Sequence, residues 1–416
     1  MSVSSLTSGI SSTTALSLSS SVRFSSSLPS TFLAGLDQLT HNTPLALRRG
    51  DLIELQGLPG SGKTSLLLHL AATALLPRTA HIHFADLRGG PGLAPVPIGG
   101  SEHNVAWIEC SARGFPTARL AALLRSLLVE AVRRFRAPLG LSAPKEDEFQ
   151  SVLDEALARL HVFQPSSTAQ LAATVRHLPR WAAQRALDLG TDEPELGAVL
   201  IDGMSEFAWA DQLAREQSTL SSSSSSSETP PLRLLLSALA HLRATLAPLI
   251  WITQHVFRPS VTLPQTSEAG LPFYAHHYAP PHWPSLAQPN YDAATVGRGG
   301  RGPLEPPLVG GSAGGAAGGG KREDPWPTVP VKLHITLHPP DKASFARGSS
   351  WAQVMAERSS SGGGGGGGRG GGAAGRGERE RRGEGMTEGV RCVVRGPGGR
   401  EVGSWEVAVG EGEVRT

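Results

Sequence analysis

One short segment, residues 57–64 with the sequence GLPGSGKT, constrains the fold more than any other part of the chain. The apolar residues Leu52, Ile53 and Leu55 just before it predict a short buried strand, and residues 66–76 predict a helix that Pro77 ends. A glycine loop between a strand and a helix N-terminus directs backbone N–H groups at one anion. The G-x-x-x-x-G-K-T spacing is that of a P-loop, so we expect the segment to bind a nucleoside triphosphate within an α/β fold.

Each position of the loop has an expected role. The glycines allow tight turns and a close approach of the backbone to the ligand. Lys63 is predicted to contact the β- and γ-phosphates, and the Thr64 hydroxyl is predicted to bind Mg²⁺. The sequence therefore predicts ATP and Mg²⁺ as cofactors. The predicted nucleotide-binding residues are Gly57, Leu58, Pro59, Gly60, Ser61, Gly62, Lys63, Thr64, Asp202 and Gln254.

Two later apolar segments end in polar residues that complete this site. Asp202 follows the apolar run AVLI, and a carboxylate at a strand end can organise the Mg²⁺ shell, so Thr64 and Asp202 are the predicted metal ligands. The alternative for Asp202 is a helix-cap or turn aspartate. Gln254 ends the run LIWIT and is predicted to sense a γ-phosphate by a hydrogen bond, or else to be a turn residue.

The rest of the chain alternates predicted strands and helices. Apolar runs at 105–110, 161–167, 197–202 and 248–256 predict strands, and amphipathic runs at 115–135, 181–189 and 232–247 predict helices. This alternation predicts a mostly parallel sheet flanked by helices. Residues 329–339 predict a further strand, and 389–396 with 404–411 predict a hairpin, which gives an antiparallel C-terminal edge. The Pro/Gly-rich run 87–104 predicts a surface loop.

Composition divides the chain further. It has 50 glycines, 32 prolines and 5% aromatic residues, which predicts a sizeable disordered share. We expect a disordered Ser-rich tail at 1–30 (or a mitochondrial transit peptide), a nucleotide-binding core at 31–258, and a low-complexity insert at 259–324. C-terminal strands at 325–416 are interrupted by a Gly/Arg tract at 359–385. Two cysteines predict reduced, intracellular thiols, and no apolar run is long enough to span a membrane.

Four segments together carry a resemblance to a known family. TFLAGLDQL, GDLIELQGLPGSGKT, AVLIDGMSEFAW and PLIWITQHV occur in the order and spacing of eukaryotic RecA-like recombinases. They are most similar to the recombinase paralogues of the X-ray-repair cross-complementing group, and to the member without an N-terminal helical domain. The resemblance implies a RecA-like ATPase core and a nuclear role in homologous recombination and DNA double-strand-break repair. It also implies a hetero-oligomeric complex with other recombinase paralogues that contacts single-stranded or junction DNA.

The resemblance also locates the residues of nucleotide hydrolysis. Active members carry an aspartate, and two residues later a catalytic glutamate, in the strand that here ends IEC. This chain has Glu109 and Ser111 at those two positions. Serine needs an adjacent base to take a proton from water, so Glu109 is the candidate catalytic residue. We expect at most a weak, DNA-dependent ATPase.

Arginines in the later inserts are the candidate DNA contacts. In the resembled family the DNA-binding loops follow the strands that end at Asp202 and Gln254, which indicates Arg258, Arg298 and Arg301. The Gly/Arg tract could add contacts to phosphate, or be a solvated linker. The histidines His276, His277 and His282 lack a nearby cysteine or carboxylate cluster, so no zinc site is predicted there.

Two other functions are compatible with a P-loop α/β core. One is a phosphotransferase for a small substrate, although its inserts would then be expected to form an arginine-bearing lid. The other is a scaffold that works without nucleotide.

Overall fold

The computed structural model describes residues 33–40, 43, 45–86, 90–190, 196–220, 231–255, 329, 331–338, 389–396, 401–410 and 413–415. The α-helices are α1 (Ala34–Thr40), α2 (Lys63–Leu75), α3 (Thr117–Arg136), α4 (Glu146–Ala158), α5 (Thr168–Leu189), α6 (Ala208–Leu220) and α7 (Pro231–Thr245). The strands are β1 (Leu52–Gly57), β2 (Thr79–Phe84), β3 (Gly92–Pro97), β4 (Asn104–Glu109), β5 (Leu160–Phe163), β6 (Leu196–Asp202), β7 (Leu249–His255), β8 (Val331–His338), β9 (Gly389–Arg395), β10 (Glu401–Gly410) and β11 (Glu413–Arg415).

Within these ranges, nine strands form one sheet in the order β11-β10-β9-β8-β1-β7-β6-β4-β5. The six strands β8, β1, β7, β6, β4 and β5 run parallel to one another. At the other end of the sheet, β9 pairs antiparallel with β8, β10 with β9, and β11 with β10. This arrangement confirms the predicted α/β fold with a mostly parallel sheet and an antiparallel C-terminal edge, and it is consistent with a RecA-like core.

Helices cover both faces of the sheet, which explains why its central strands are buried along nearly their whole length. Successive residues of a strand point to opposite faces. Trp107 therefore packs in the core beneath α2 and α3, whereas the next residue, Ile108, packs in the core beneath α5 and α7. All six residues of β1 are buried, as expected for a strand at the centre of a two-sided core.

The first described helix packs against one of the last strands. A Cβ atom added to Gly35 of α1 would lie 2.5 Å from Cγ of Trp405 on β10. A Cβ added to Gly403 of β10 would lie 2.6 Å from Cδ2 of Leu39. The close approach of Trp405 leaves no room for a side chain at Gly35, whereas at Gly403 the terminal methyl of Leu39 would have to move.

The prediction of a surface loop at 87–104 is wrong for residues 92–97, which form strand β3. Strands β2 and β3 pair antiparallel as a two-stranded sheet. In β3, Ala94 and Val96 are buried, while Pro95 and Pro97 point outwards and are exposed. Proline is tolerated in an edge strand because its missing N–H faces solvent, so the prolines concealed a period-two pattern.

Several other predictions fall outside the described residues: the tail at 1–30, the insert at 259–324 and the tract at 359–385. The predicted strand at 161–167 is shorter, as β5, and the helix predicted at 181–189 begins earlier, at Thr168. Both cysteines, Cys110 and Cys392, are free and buried. In the part of the chain that the structure describes, no helix is long and apolar enough to cross a membrane.

Candidate nucleotide-binding site

The predicted P-loop connects β1 to α2, as the sequence indicates. A Cβ atom on Gly57 would lie 2.5 Å from Oγ of Ser61 and 2.8 Å from the carbonyl oxygen of Leu337, so no side chain fits there. Gly62 precedes the first residue of α2 with φ of 89°, a left-handed conformation that favours glycine. The loop geometry thus depends on these two glycines.

Lys63 lies at the base of the loop and is only 3% exposed. Its Nζ donates hydrogen bonds to the carbonyl oxygens of Gly57 at 2.8 Å and Leu58 at 2.9 Å. Burial lowers the pKa of Lys63 to about 8, although the nearby Asp202 acts in the opposite direction. Because this ammonium group is poorly hydrated, a nearby anionic ligand would stabilise its charged form.

Thr64 and Asp202 are brought together, as the sequence predicts. The Thr64 hydroxyl donates a 2.8 Å hydrogen bond to Oδ2 of Asp202. The other carboxylate oxygen, Oδ1, accepts a 2.6 Å hydrogen bond from the Thr253 hydroxyl. Thr253 in turn accepts a 2.7 Å bond from the Gly203 backbone N–H. The two carboxylate oxygens of Asp202 are therefore held from different sides, one by Thr253 of β7 and the other by Thr64 of the P-loop.

Thr253 was not among the predicted site residues. Its signal in the sequence is a single hydroxyl inside the apolar run of β7, one residue before Gln254. Thr253 is fully buried, so its hydroxyl needs polar partners, and Asp202 with Gly203 supplies them.

The side chains at this position fit a Mg²⁺ ion bound with phosphates. A threonine hydroxyl and a carboxylate that already approach each other within 2.8 Å are oxygen ligands of the kind Mg²⁺ prefers. Thr64 and Asp202 would hold the ion, which would neutralise charge on the phosphate oxygens. In the described residues, no cluster of three or more His, Cys, Asp or Glu side chains could hold another metal.

Gln254 lies between the P-loop strand and the Asp202 strand. It is fully buried on β7 and is in register with Gln56 of β1, the residue before Gly57. The sheet therefore places its amide at the same edge as the loop, where the prediction of a phosphate-sensing role requires it.

Glu109 is the next polar residue along this edge. It ends β4 and is in register with Asp202 on β6. Its Oε1 accepts hydrogen bonds from the Ser111 hydroxyl at 2.5 Å and the Ser111 backbone N–H at 3.1 Å. Its Oε2 accepts a 3.1 Å bond from Nε1 of Trp107. Burial and the charge of Asp202 raise the pKa of Glu109, while the hydrogen bonds from Ser111 and Trp107 lower it.

Arg119 is a further residue that the sequence does not single out, because arginines are expected on the polar side of an amphipathic helix such as α3. Its Nη2 on α3 donates a 2.5 Å hydrogen bond to Oγ of Ser65, in the first turn of α2. This contact places a second cation beside the end of the P-loop.

A separate polar row crosses β1, β8 and β9. Nδ1 of His334 lies 3.4 Å from Oε2 of Glu54, Nε2 of His334 lies 3.2 Å from Oγ1 of Thr336, and Arg395 donates a 2.8 Å bond to Thr336. All four side chains are fully buried. The row connects the P-loop strand to the C-terminal strands and was not predicted.

The predicted DNA-binding residues Arg258, Arg298 and Arg301 lie outside the described residues, as do His276, His277 and His282. The structure therefore does not test the predicted DNA contacts.

Comparisons with known proteins identify one relevant relative. No model of a known protein family matches the chain. The DNA repair protein XRCC2 of Mus musculus is 26% identical over 169 residues, which is 41% of this chain and 45% of that protein. The chain thus spans less than half the length of this curated relative. The similarity supports a relationship to the RecA-like recombinase paralogues, without singling out a member.

Proposed function

We propose that this chain is an ATP-binding recombinase paralogue that acts in homologous recombination and DNA double-strand-break repair, as a subunit of a hetero-oligomeric paralogue complex. The observation that carries the proposal is the 2.8 Å contact between Thr64 of the P-loop and Asp202 at the end of β6. It joins a phosphate loop to a carboxylate in the arrangement that nucleotide and Mg²⁺ binding need.

The loop and the carboxylate by themselves support nucleotide binding only, because P-loop α/β cores serve many functions. The role in repair is supported by the similarity to a protein named as a DNA repair protein. From the geometry of the site we propose ATP with Mg²⁺ as ligands. From the similarity to the DNA repair protein we propose that other recombinase paralogues and DNA are its partners and that it acts in the nucleus.

Affinity purification of the tagged full chain from cells, followed by mass spectrometry, tests the proposed complex. We expect recombinase paralogues to co-purify with the wild type. We also expect cells that lack this protein to be more sensitive to DNA damage than cells that have it. If no recombinase paralogue co-purifies and the protein transfers phosphate to a small acceptor molecule, the proposal is refuted and the function is that of a phosphotransferase.

Single-strand DNA affinity measured across a salt series tests the proposed nucleic-acid contact. The candidate side chains are arginines, which contact mainly phosphate, so we expect sequence-independent binding in which the logarithm of affinity falls with the logarithm of salt concentration at a slope of about −0.7 per phosphate. Deleting residues 359–385 should reduce the slope. An unchanged slope would show that the tract is a linker and not a DNA contact.

A further inference from the structure

The Glu109 carboxylate has a restricted connection to solvent. Glu109 is 3% exposed, so water has little direct access to it. The described groups that donate to it are the Trp107 indole N–H, the Ser111 backbone N–H and the Ser111 hydroxyl. An indole N–H and an amide N–H do not exchange roles as donor and acceptor, whereas a hydroxyl can accept one proton while giving up another. The partly exposed Ser111 hydroxyl is therefore the proton route to Glu109.

Ser111 also lies at the phosphate edge of the sheet. Its backbone N lies 3.8 Å, and its Cβ 3.9 Å, from the position that a Cβ atom on Gly203 would occupy. Gly203 directly follows Asp202, which accepts the hydrogen bond from Thr64 of the P-loop. The backbone N–H of Cys110 donates a 2.9 Å bond to the Asp202 carbonyl oxygen, which fixes the two strand ends to each other.

We propose that Ser111 and Glu109 form a proton relay for hydrolysis of the bound nucleoside triphosphate, with Ser111 as the group that contacts the attacking water and Glu109 as the base behind it. This inference rests on the proposed nucleotide binding. It assigns a role to the serine that stands where an active-site glutamate is expected.

The relay balances in protons and bonds. A water proton moves to Oγ of Ser111 as the Ser111 hydroxyl proton moves to Oε1 of Glu109. The water oxygen bonds to the γ-phosphorus as the bond between that phosphorus and the bridging oxygen breaks, which gives nucleoside diphosphate and inorganic phosphate. Glu109 then releases its proton through Ser111 to solvent water, so the enzyme is regenerated without another reactant.

The surroundings of Glu109 suit it to act as this base. Desolvation raises its pKa above the usual value for glutamate, and a carboxylate with a raised pKa is a better proton acceptor near neutral pH. The charged group that faces it from the neighbouring strand is Asp202, whose negative charge acts in the same direction. The carboxylate form of Glu109 is the one that can accept the proton from Ser111.

Single-turnover hydrolysis by the full chain, with and without single-stranded DNA, tests the relay. Ser111→Ala and Glu109→Gln should each lower the rate by about a hundredfold or more, since a lost general base costs roughly 10²–10⁴. Ser111→Thr keeps the hydroxyl and should retain most of the rate. Glu206→Gln is the matched control, because Glu206 is an exposed carboxylate near the same edge of the sheet and has no part in the relay.

One measurement other than turnover accompanies these rates. Fluorescent-nucleotide titration should give the same dissociation constant for the wild type and Ser111→Ala, because the hydroxyl acts on water and not on the nucleotide.

The outcomes separate the relay from nucleotide binding. A loss of rate in Ser111→Ala with recovery in Ser111→Thr and unchanged nucleotide affinity supports the relay. Equal rates in Ser111→Ala and wild type, or nucleotide binding without any turnover by the wild type, overturn the relay and leave the proposed function intact. Failure of the wild type to bind nucleotide overturns the proposed function itself.

Discussion

Replacing Lys63 by alanine should weaken nucleotide binding and reduce the dependence of that binding on pH. Lys63 is 3% exposed, and its ammonium group is held by the carbonyl oxygens of Gly57 and Leu58 at the base of the P-loop. A hydrogen bond to a charged group contributes about 1.5–3 kcal/mol, so Lys63→Ala should weaken nucleotide binding by roughly ten- to a hundredfold.

The pH dependence follows from the lowered pKa of Lys63. Burial brings it to about 8, so the nucleotide-free site loses its positive charge as pH rises through that value. The ammonium form is the one that attracts phosphate, and affinity should therefore fall by about tenfold between pH 7 and pH 9. The alanine variant has no group to titrate there and should show a smaller change over the same range.

Fluorescent-nucleotide titrations at pH 7, 8 and 9 in the presence of Mg²⁺ measure both effects. Lys145→Ala is the matched control, because Lys145 is an exposed lysine that precedes α4. Equal affinity of wild type and Lys63→Ala would refute the assignment of the P-loop lysine. An identical pH profile for the two proteins would refute the attribution of the pH effect to Lys63.

Three further substitutions test other parts of the structure. Asp202→Asn should leave the fold intact but reduce the gain in nucleotide affinity on adding Mg²⁺, measured by titration with and without the ion; an unchanged gain would exclude Asp202 as a ligand. Thr253→Val should lower the free energy of unfolding, measured by urea denaturation, by about 1–3 kcal/mol, because the Gly203 N–H loses its buried acceptor. Thr253→Ser keeps the hydroxyl and should restore most of that free energy. Gly35→Val should cost about 1–3 kcal/mol by collision with Trp405, and an unchanged melting temperature would show that α1 does not pack there.

The sequence predicts those parts of the fold that depend on local patterns. Continuous apolar strands and a glycine loop of fixed spacing identify β1, β4, β6 and β7 with their polar ends, because buried parallel strands leave that signature. Strand β3 was missed because its prolines imitate a loop. Its pattern has meaning only when β2 is known to be its partner.

Long-range contacts account for the remaining differences in the site. Thr253 is a site residue because β7 lies beside β6, and Arg119 because α3 packs near α2. The pairing of Glu109 with Ser111 is a matter of side-chain direction at the end of β4, which residue types alone do not determine. Sequence reasoning located the polar strand ends correctly but not the hydrogen bonds among them.

The position of β1 between β7 and β8 has a consequence for synthesis of the protein. Glu54 of β1 and its neighbour His334 of β8 are 280 residues apart in the sequence. At about 5–20 residues per second, the ribosome needs roughly 15–60 seconds to deliver β8 after β1 has emerged. During that time β1, with its apolar residues Leu52, Ile53 and Leu55, has an unpaired edge, which is a template for aggregation. Yield in cells should therefore depend on chaperones that bind the nascent chain, and slower translation should increase that dependence.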